Sequence, residues 1–116
     1  MLKYTPILIT LLIGSVFSTQ HNLEVGAHQP GDRLVTTDEV RIDANLIKKV
    51  VEEREFLVPR GYVITMVKAT NLSSDDTGAE VVMLGGGPGS DRVRLRFKSQ
   101  RFEGVYHRVD IFAKPY

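Results

Sequence analysis

Residues 85–99 read GGGPGSDRVRLRFKS, and this stretch does more than any other to decide the fold. A glycine-rich turn leads into a segment in which cationic and apolar residues alternate at every position. Successive side chains of a β-strand point to opposite faces, so the segment is predicted to be a strand. Its buried face is expected to contain Val93, Leu95 and Phe97. The opposite face carries what we term the cationic stripe, which consists of Arg92, Arg94, Arg96 and Lys98.

The segments around this strand also favour an all-β chain. Residues 62–69 are rich in β-branched and aromatic residues, and residues 79–84 form a short apolar run. Residues 46–58 fit a helical stripe and a strand about equally well, and we favour a strand with a bulge because Pro-Arg-Gly at 59–61 follows it like a turn. Residues 105–113 alternate again, with one face made of Val105, His107, Val109, Ile111 and Ala113. Short strands and turns at this spacing predict an antiparallel β-sandwich or small barrel of about six to seven strands.

The first 18 residues are predicted to be a secretory signal peptide. Lys3 supplies a positive charge, and residues 7–17 are largely apolar. This apolar run is shorter than the about 20 residues that span a bilayer, which argues against the alternative of a membrane anchor. Small or medium residues at the positions that signal peptidase inspects favour cleavage after Ser18. The protein is therefore expected to be secreted, with Thr19 at its mature N-terminus.

The rest of the chain is predicted to be one domain. Residues 19–29 are polar and unpatterned, and we expect them to form a flexible leader before a single β domain over residues 30–116. Within that domain, residues 33–35 are predicted to start a first short strand. Residues 36–45 are polar and are expected to be a surface connection.

Cysteine content and charge narrow the class of protein. The chain has no cysteine, so its fold must depend on hydrophobic packing and backbone pairing rather than on the disulfides of many small secreted proteins. Residues 19–87 hold seven Lys or Arg against eleven Asp or Glu, whereas residues 88–116 hold seven against three. This uneven distribution favours docking to an oriented partner, or between the two halves, over bulk adhesion to polyanions.

The sequence does not support an enzyme. The glycine loop lacks the Gly-Lys-Ser/Thr ending of a nucleotide-binding loop and precedes a strand, so we interpret it as a wide β-turn rather than a phosphate cradle. There is no cysteine nucleophile and no Gly-x-Ser-x-Gly elbow, and His107 is expected in the core rather than as a base. Asp75, Asp76 and Glu80 lack the ligand spacing of a calcium loop. We therefore predict no catalytic residue, no cofactor and no metal ligand.

Two features remain as candidate functional sites. Asn71-Leu72-Ser73 is an N-glycosylation sequon in a polar loop, and Asn71 is expected to carry a glycan. The cationic stripe could bind phosphate, sulfate or an acidic protein, or it could be a solvated face that protects a strand edge. It could also pair across strands with Glu52, Glu53 and Glu55. We favour the solvated or internally paired face, with weak polyanion binding at most and no base-specific contact with nucleic acid.

Two turn motifs resemble those of the insect multiprotein bridging factor 2 family. The first is Pro30-Gly31-Asp32-Arg33-Leu34, preceded by Gly26, and the second runs from the glycine loop to Ser99-Gln100-Arg101, followed by Gly104. The closing segment Val109-Asp110-Ile111-Phe112 fits too, and the resemblance extends over residues 25–113. It implies a protein that contacts other proteins, because the family is named after a transcriptional co-activator that bridges a DNA-bound nuclear receptor and the general transcription machinery. Many members nevertheless look secreted, including components of haemolymph, saliva and venom.

The predicted signal peptide conflicts with a nuclear role and decides between these implications. The sequence favours a secreted, non-enzymatic binding protein with a protein partner in an insect extracellular fluid, which would be haemolymph, saliva or venom. The alternative is an intracellular co-activator that bridges a DNA-bound regulator and the general transcription machinery. In that case residues 2–17 would be an interaction segment.

Overall fold

The computed structural model describes residues 16–18, 21–73 and 78–116. These residues contain eight β-strands, and none of them is helical. The strands are β1 (Val16–Ser18), β2 (Leu23–Gly26), β3 (Arg33–Ile42), β4 (Val51–Leu57), β5 (Tyr62–Asn71), β6 (Glu80–Gly86), β7 (Arg92–Lys98) and β8 (Val105–Pro115). Within the described part of the chain, no helix is long and apolar enough to cross a membrane.

The strands form two antiparallel sheets that pack face to face. The five-stranded sheet has the order β1-β2-β5-β8-β3, and the three-stranded sheet has the order β4-β7-β6. One cluster of buried apolar side chains draws on both sheets. The all-β prediction is therefore confirmed, and of the two architectures left open the structure has the sandwich. Seven of the strands lie after Ser18, in agreement with the predicted number.

The core has the composition that the alternating strands predicted. Val93, Leu95 and Phe97 of β7 are fully buried. The same holds for the expected inward face of β8, where His107 lies among apolar residues with its ring centre 5.2 Å from that of Phe97. Each large apolar side chain removed from water in this way contributes about 1.5–3 kcal/mol, which is how the sandwich is stabilised without disulfides.

Two segments that were expected to be irregular are strands. Residues 23–26, within the predicted leader 19–29, form β2 and pair with β5, and Leu23 and Val25 are only 6% exposed. Residues 36–42, predicted to be a surface connection, belong to the ten-residue strand β3, which pairs with β8. The structure corrects both predictions: β2 is too short to show an alternation, and β3 lies at a sheet edge where most side chains remain polar. The β domain therefore includes residues before position 30.

The ambiguous segment 46–58 is only partly extended. Its second half is β4, as expected of a strand, whereas residues 46–50 form a loop. The apolar pattern is broken because Glu52 and Arg54 lie on the inner side of this edge strand, where Arg54 Nε and Glu52 Oε2 are 2.6 Å apart. Inward-pointing charges of this kind protect an exposed strand edge from pairing with other chains.

The predicted signal peptide over residues 1–18 lies outside the described residues except for β1. Residues 16–18 of β1 pair with residues 23–25 of β2. Cleavage after Ser18 would remove β1 and leave β2 at the edge of the sheet. The acidic residues Asp75 and Asp76 also lie outside the described part of the chain.

Candidate functional site

The cationic stripe lies on the outer face of the three-stranded sheet, as its sequence predicted. All of its members are exposed except Arg96, which is half-buried. Three of the cations have a carboxylate directly opposite on a neighbouring strand: Glu55 faces Arg94, Glu53 faces Arg96, and Glu80 faces Lys98. Opposite residues of an antiparallel pair share one face of the sheet, so the positive charge of the stripe is compensated from both sides. No ion pair joins these facing residues within the described part of the chain, so the arrangement agrees with the solvated alternative, in which nearby carboxylates lower the net charge of the face. Glu52 is not among them, because it points inward and pairs with Arg54.

The fourth cation of the stripe is compensated by its chain neighbour. Arg92 Nε donates a hydrogen bond to Asp91 Oδ1 at 3.1 Å. This bond, together with the attraction between the two charges, raises the pKa of Arg92 and lowers the pKa of Asp91. Both side chains are more than half exposed, so water screens the pair and its contribution to stability is small.

Three backbone amides of the glycine loop donate hydrogen bonds within the fold. Gly87 N donates to Arg92 O at 2.9 Å, Gly89 N donates to Ile64 O at 2.8 Å, and Ser90 N donates to Gly87 O at 2.9 Å. An anion cradle would need such N–H groups to be free to point at a ligand. The interpretation as a wide turn is therefore confirmed, and the loop connects the three-stranded sheet to β5 of the other sheet.

The first family-like turn motif has a structural role. Asp32 Oδ2 accepts hydrogen bonds from Gln29 N at 3.0 Å and from the buried Thr65 Oγ1 at 2.9 Å, and it lies 3.2 Å from His28 Nδ1. The bond from Gln29 is the main cause of a lowered pKa for Asp32, with smaller contributions from Thr65 and His28. The carboxylate therefore holds the turn closed and attaches it to β5.

The second turn motif is structural as well. The buried Ser99 donates from its backbone N to Val50 O at 2.8 Å and accepts from Val50 N with its Oγ at 2.7 Å. At Gly104 a Cβ atom would collide with the carbonyl oxygen of Ile42. Asp32, Ser99 and Gly104, which belong to the two motifs of the family resemblance, thus shape turns and connect strands.

His107 is buried as predicted, but it has a specific contact. Its Nε2 lies 2.7 Å from the backbone oxygen of His21, so Nε2 carries the proton in this hydrogen bond. Its Nδ1 is buried and has no hydrogen-bond partner among the described residues. Burial lowers the pKa of His107, because a charged imidazolium ring in the core would be cut off from the water that stabilises it. The neutral ring therefore attaches the chain before β2 to the inner face of β8.

Acidification should destabilise the protein through His107. Since the pKa of His107 is lowered by folding, only the unfolded state takes up this proton as the pH falls through 6.5, the ordinary value. The contribution to stability is complete above that pH and decreases below it. Thermal melts at about pH 7.5 and about pH 5.5 should show a lower Tm at the acidic pH. His107→Leu should reduce this difference, whereas His28→Asn, at an exposed histidine, should keep it. An equal pH dependence in all three proteins would contradict the prediction.

The sequon residue Asn71 lies at the end of β5 and is half-buried. Its Oδ1 accepts a hydrogen bond from Ser73 N at 3.1 Å, and its side-chain amide lies against Gly78, where a Cβ atom would leave no room for it. The amide therefore has a defined place at the surface of this end of the sandwich. Whether it carries a glycan stays a prediction.

We expect the protein produced in insect cells to carry one glycan at Asn71. Glycosidase treatment should then increase its electrophoretic mobility, and Ser73→Ala should give the faster form without treatment, because it removes the sequon but leaves Asn71 in place. The same mobility for treated, untreated and Ser73→Ala protein would show that the site is unused.

The structure reveals an exposed apolar surface that the sequence analysis missed. We call it the apolar tip, and it consists of Leu46, Ile47 and Phe102, which are 78%, 84% and 58% exposed. The first of its two turns is formed by residues 45–48. Asn45 Oδ1 accepts hydrogen bonds from Ile47 N at 2.8 Å and from Lys48 N at 3.2 Å, which fixes this turn. The only signal in the sequence was this asparagine, which favours turns, directly before two aliphatic residues.

The second turn of the apolar tip lies between β7 and β8. Glu103 N donates to Gln100 O at 3.0 Å and closes this turn. Phe102 has a positive φ of 67°, an uncommon conformation for an aromatic residue, and the Arg101 guanidinium carbon lies 5.9 Å from its ring centre. The two turns are neighbours because Gly104 packs against the backbone of residues 42–44, which lead into the first turn.

The described residues contain no cluster of metal-ligating side chains. Among residues 21–73 and 78–116, no three His, Cys, Asp or Glu side chains are grouped so that they could hold a metal ion.

Comparison with known proteins identifies the family. A family model described as "Transcription activator MBF2" matches residues 25–113, from β2 to β8. A bumblebee protein, the "Probable salivary secreted peptide" of Bombus ignitus, is 39% identical over 94 residues, which is 81% of this chain and 70% of the relative. No solved structure matches the chain. With the matched interval spanning the sandwich and both turn motifs, the chain belongs to the MBF2 (multiprotein bridging factor 2) family.

Proposed function

We propose that this protein is a secreted, non-enzymatic binding protein that acts in an insect extracellular fluid. The observation that carries the proposal is the 39% identity to a relative named as a salivary secreted peptide, within a shared family. The apolar segment that begins the chain has the length and flanks of a signal peptide and supports the same conclusion. Saliva is the fluid that the relative's name points to, ahead of haemolymph and venom.

The surface chemistry supports binding rather than catalysis. The side chains of Asp32 and Ser99 in the two family-like motifs hydrogen-bond to Thr65 and to the backbone of Val50, and the one fully buried histidine is bonded to a backbone oxygen. Among the described residues, three of the exposed large apolar side chains lie on the two neighbouring turns of the apolar tip. Exposed apolar groups of this kind are typical of contact surfaces. We therefore assign the binding function to the apolar tip.

The cationic stripe contributes at most weak binding to polyanions. Carboxylates face it from β4 and β6, so a polyanion would have to displace or approach those negative charges. We expect the protein to leave a heparin column well below physiological salt, about 0.15 M. The double variant Glu53→Gln/Glu55→Gln should be retained to higher salt, because it removes two negative charges that face the cations of the stripe. Tight retention of the unaltered protein, above physiological salt, would contradict this expectation.

Secretion is tested by expressing the full chain with a C-terminal tag in insect cells. We expect the tagged protein in the medium, with Thr19 as its first residue by N-terminal sequencing. A protein that stays in the cell with Met1 intact would overturn the proposal.

A second candidate is the co-activator function that the family description "Transcription activator MBF2" suggests. It would place the chain in the nucleus, where it would bridge a DNA-bound regulator and the general transcription machinery. Nuclear accumulation of the tagged chain without secretion would favour this function over the first.

A further inference from the structure

The first turn of the apolar tip protrudes from the sandwich. Residues 46–49 are all exposed, whereas a segment lying along the surface would turn every second side chain towards the protein. Leu46 and Ile47 therefore form a convex apolar projection rather than the wall of a groove. A projection of this shape can insert into a lipid layer or into a matching pocket of another protein.

Two backbone N–H groups of this turn are hydrogen-bonded within the protein and do not depend on water. In lipid, an unpaired backbone N–H is costly because there is no water to accept its hydrogen bond. The N–H groups of Ile47 and Lys48 are both bonded to the side chain of Asn45, so the apex can lose water without leaving these donors unpaired. The loop is also fixed at its base, where Val50 N donates to Ser99 Oγ at 2.7 Å.

Cationic residues flank the apolar groups on both turns. Lys48 and Lys49 follow Leu46 and Ile47 directly, and Arg101 precedes Phe102. Long Lys and Arg side chains can keep their methylene groups in an apolar layer while the charge reaches phosphate groups above it. The described residues of the two turns hold these three cations against two carboxylates, Asp43 and Glu103. Apolar side chains next to cations are the composition of segments that lie in the interface of anionic membranes.

We propose that the apolar tip inserts into a lipid surface that contains anionic headgroups. Leu46, Ile47 and Phe102 enter the apolar layer, and Lys48, Lys49 and Arg101 contact the headgroup phosphates. The inference rests on the proposed secreted binding function and names the class of its partner. A protein partner is the less favoured occupant, because a convex pair of aliphatic side chains would need a preformed pocket, and protein hot spots are richer in Trp, Tyr and Arg.

The test uses the processed protein, purified from the medium of insect cells, and vesicles pelleted by centrifugation. One set of vesicles is phosphatidylcholine alone, and the other contains about 30 mol% phosphatidylserine at about 0.15 M salt. We expect the protein to pellet with the phosphatidylserine vesicles and less with phosphatidylcholine. Leu46→Ser/Ile47→Ser should lower the partition coefficient about tenfold or more. Lys48→Gln/Lys49→Gln should lower it only on the anionic vesicles and weaken its dependence on salt.

A matched control removes an apolar side chain of similar exposure elsewhere. Leu57 is 57% exposed on the three-stranded sheet, at the end that faces the glycine loop, so Leu57→Ser should pellet like the unaltered protein. Circular dichroism and thermal melts show that each variant is folded.

Three outcomes would overturn the inference. The processed protein could fail to pellet with either type of vesicle, or Leu57→Ser could lose as much binding as the tip variant. The tip variant could also lose a stoichiometric protein partner from the fluid while the unaltered protein ignores lipid, which would assign the tip to a protein. Failure of the proposed function is distinguishable, because then the protein would not appear in the medium.

Discussion

Phe97→Ala is expected to lower the free energy of unfolding by about 3–5 kcal/mol, the range for removing a buried aromatic ring. Phe97 is fully buried in the middle strand of the three-stranded sheet, and its ring packs against that of His107. Alanine would leave a cavity between the two sheets that the surrounding strands can fill only in part. Domains of this size have a total stability of about 5–15 kcal/mol, so this loss is a large part of the total.

Urea denaturation followed by circular dichroism measures this loss. Phe102→Ala is the matched control, because it removes the same ring from a residue that is 58% exposed. The control should change stability by no more than about 0.5 kcal/mol. Equal losses in the two variants would show that β7 does not have the described inward face.

The same variant also tests the cause of the lowered His107 pKa. Burial is the main reason for that shift, and the Phe97 ring is part of what keeps water away. Without the ring, water can enter the cavity and hydrate the charged imidazolium, so the pKa should rise towards its ordinary value. The acid sensitivity that depends on His107 should then be weaker in Phe97→Ala than in the unaltered protein.

Strands β7 and β8 were identified from a regular difference between their two faces, whereas β5 and β6 were identified from their apolar and β-branched composition. In β7 every second residue is apolar and buried, and in β8 the only polar residue on the inward face is His107. In β3, by contrast, Val40 is the only fully buried residue, because an edge strand has less of the opposite sheet above it. In β4 the charged residues Glu52 and Arg54 occupy inward positions, so the apolar alternation is interrupted. Alternation thus identifies β7 and β8, which lie inside their sheets, and misses the edge strand β3.

The surroundings of the cationic stripe could not be predicted, although the stripe itself could. Its alternation is local, whereas the carboxylates that face it come from strands up to about 40 residues away in the chain. Glu53 and Glu55 lie opposite the stripe only because of the particular register between β4 and β7. A shift by one residue would turn both carboxylates inward and Glu52 outward. The charge balance of this surface is therefore a property of the register.

The apolar tip was missed for a different reason. Leu46 and Ile47 have the side chains of core residues, and a hydrophobic pattern cannot separate an apolar residue that is buried from one that is displayed on a turn. What distinguishes them is the Asn45 side chain, which holds the backbone in a turn that points away from both sheets. Exposed apolar residues on a fixed turn contribute nothing to the core, so their presence favours a role in binding.

Gly26→Ala is expected to destabilise the protein by about 3 kcal/mol or more, although it lies in the segment that looked like a loose leader. Gly26 ends β2 with a positive φ of 91°, a conformation that costs a non-glycine residue about 1–2 kcal/mol. A Cβ atom there would also collide with the carbonyl oxygen of Thr65 and press on the Pro88 ring of the glycine loop. Two costs therefore add at one position.

Gly31→Ala separates the two costs, because Gly31 has a similar φ of 84° but nothing lies within 4 Å of its Cβ position. It should lose only the conformational part, about 1–2 kcal/mol. Thermal melts should place the Tm of Gly26→Ala several degrees below that of Gly31→Ala, since about 1 kcal/mol shifts the Tm of a domain of this size by about 4–8 °C. If Gly26→Ala were as stable as the unaltered protein, the contact between β2, Thr65 of β5 and the glycine loop would not exist in solution. The sandwich would then begin at β3, and the residues before it would be the leader that their composition suggests.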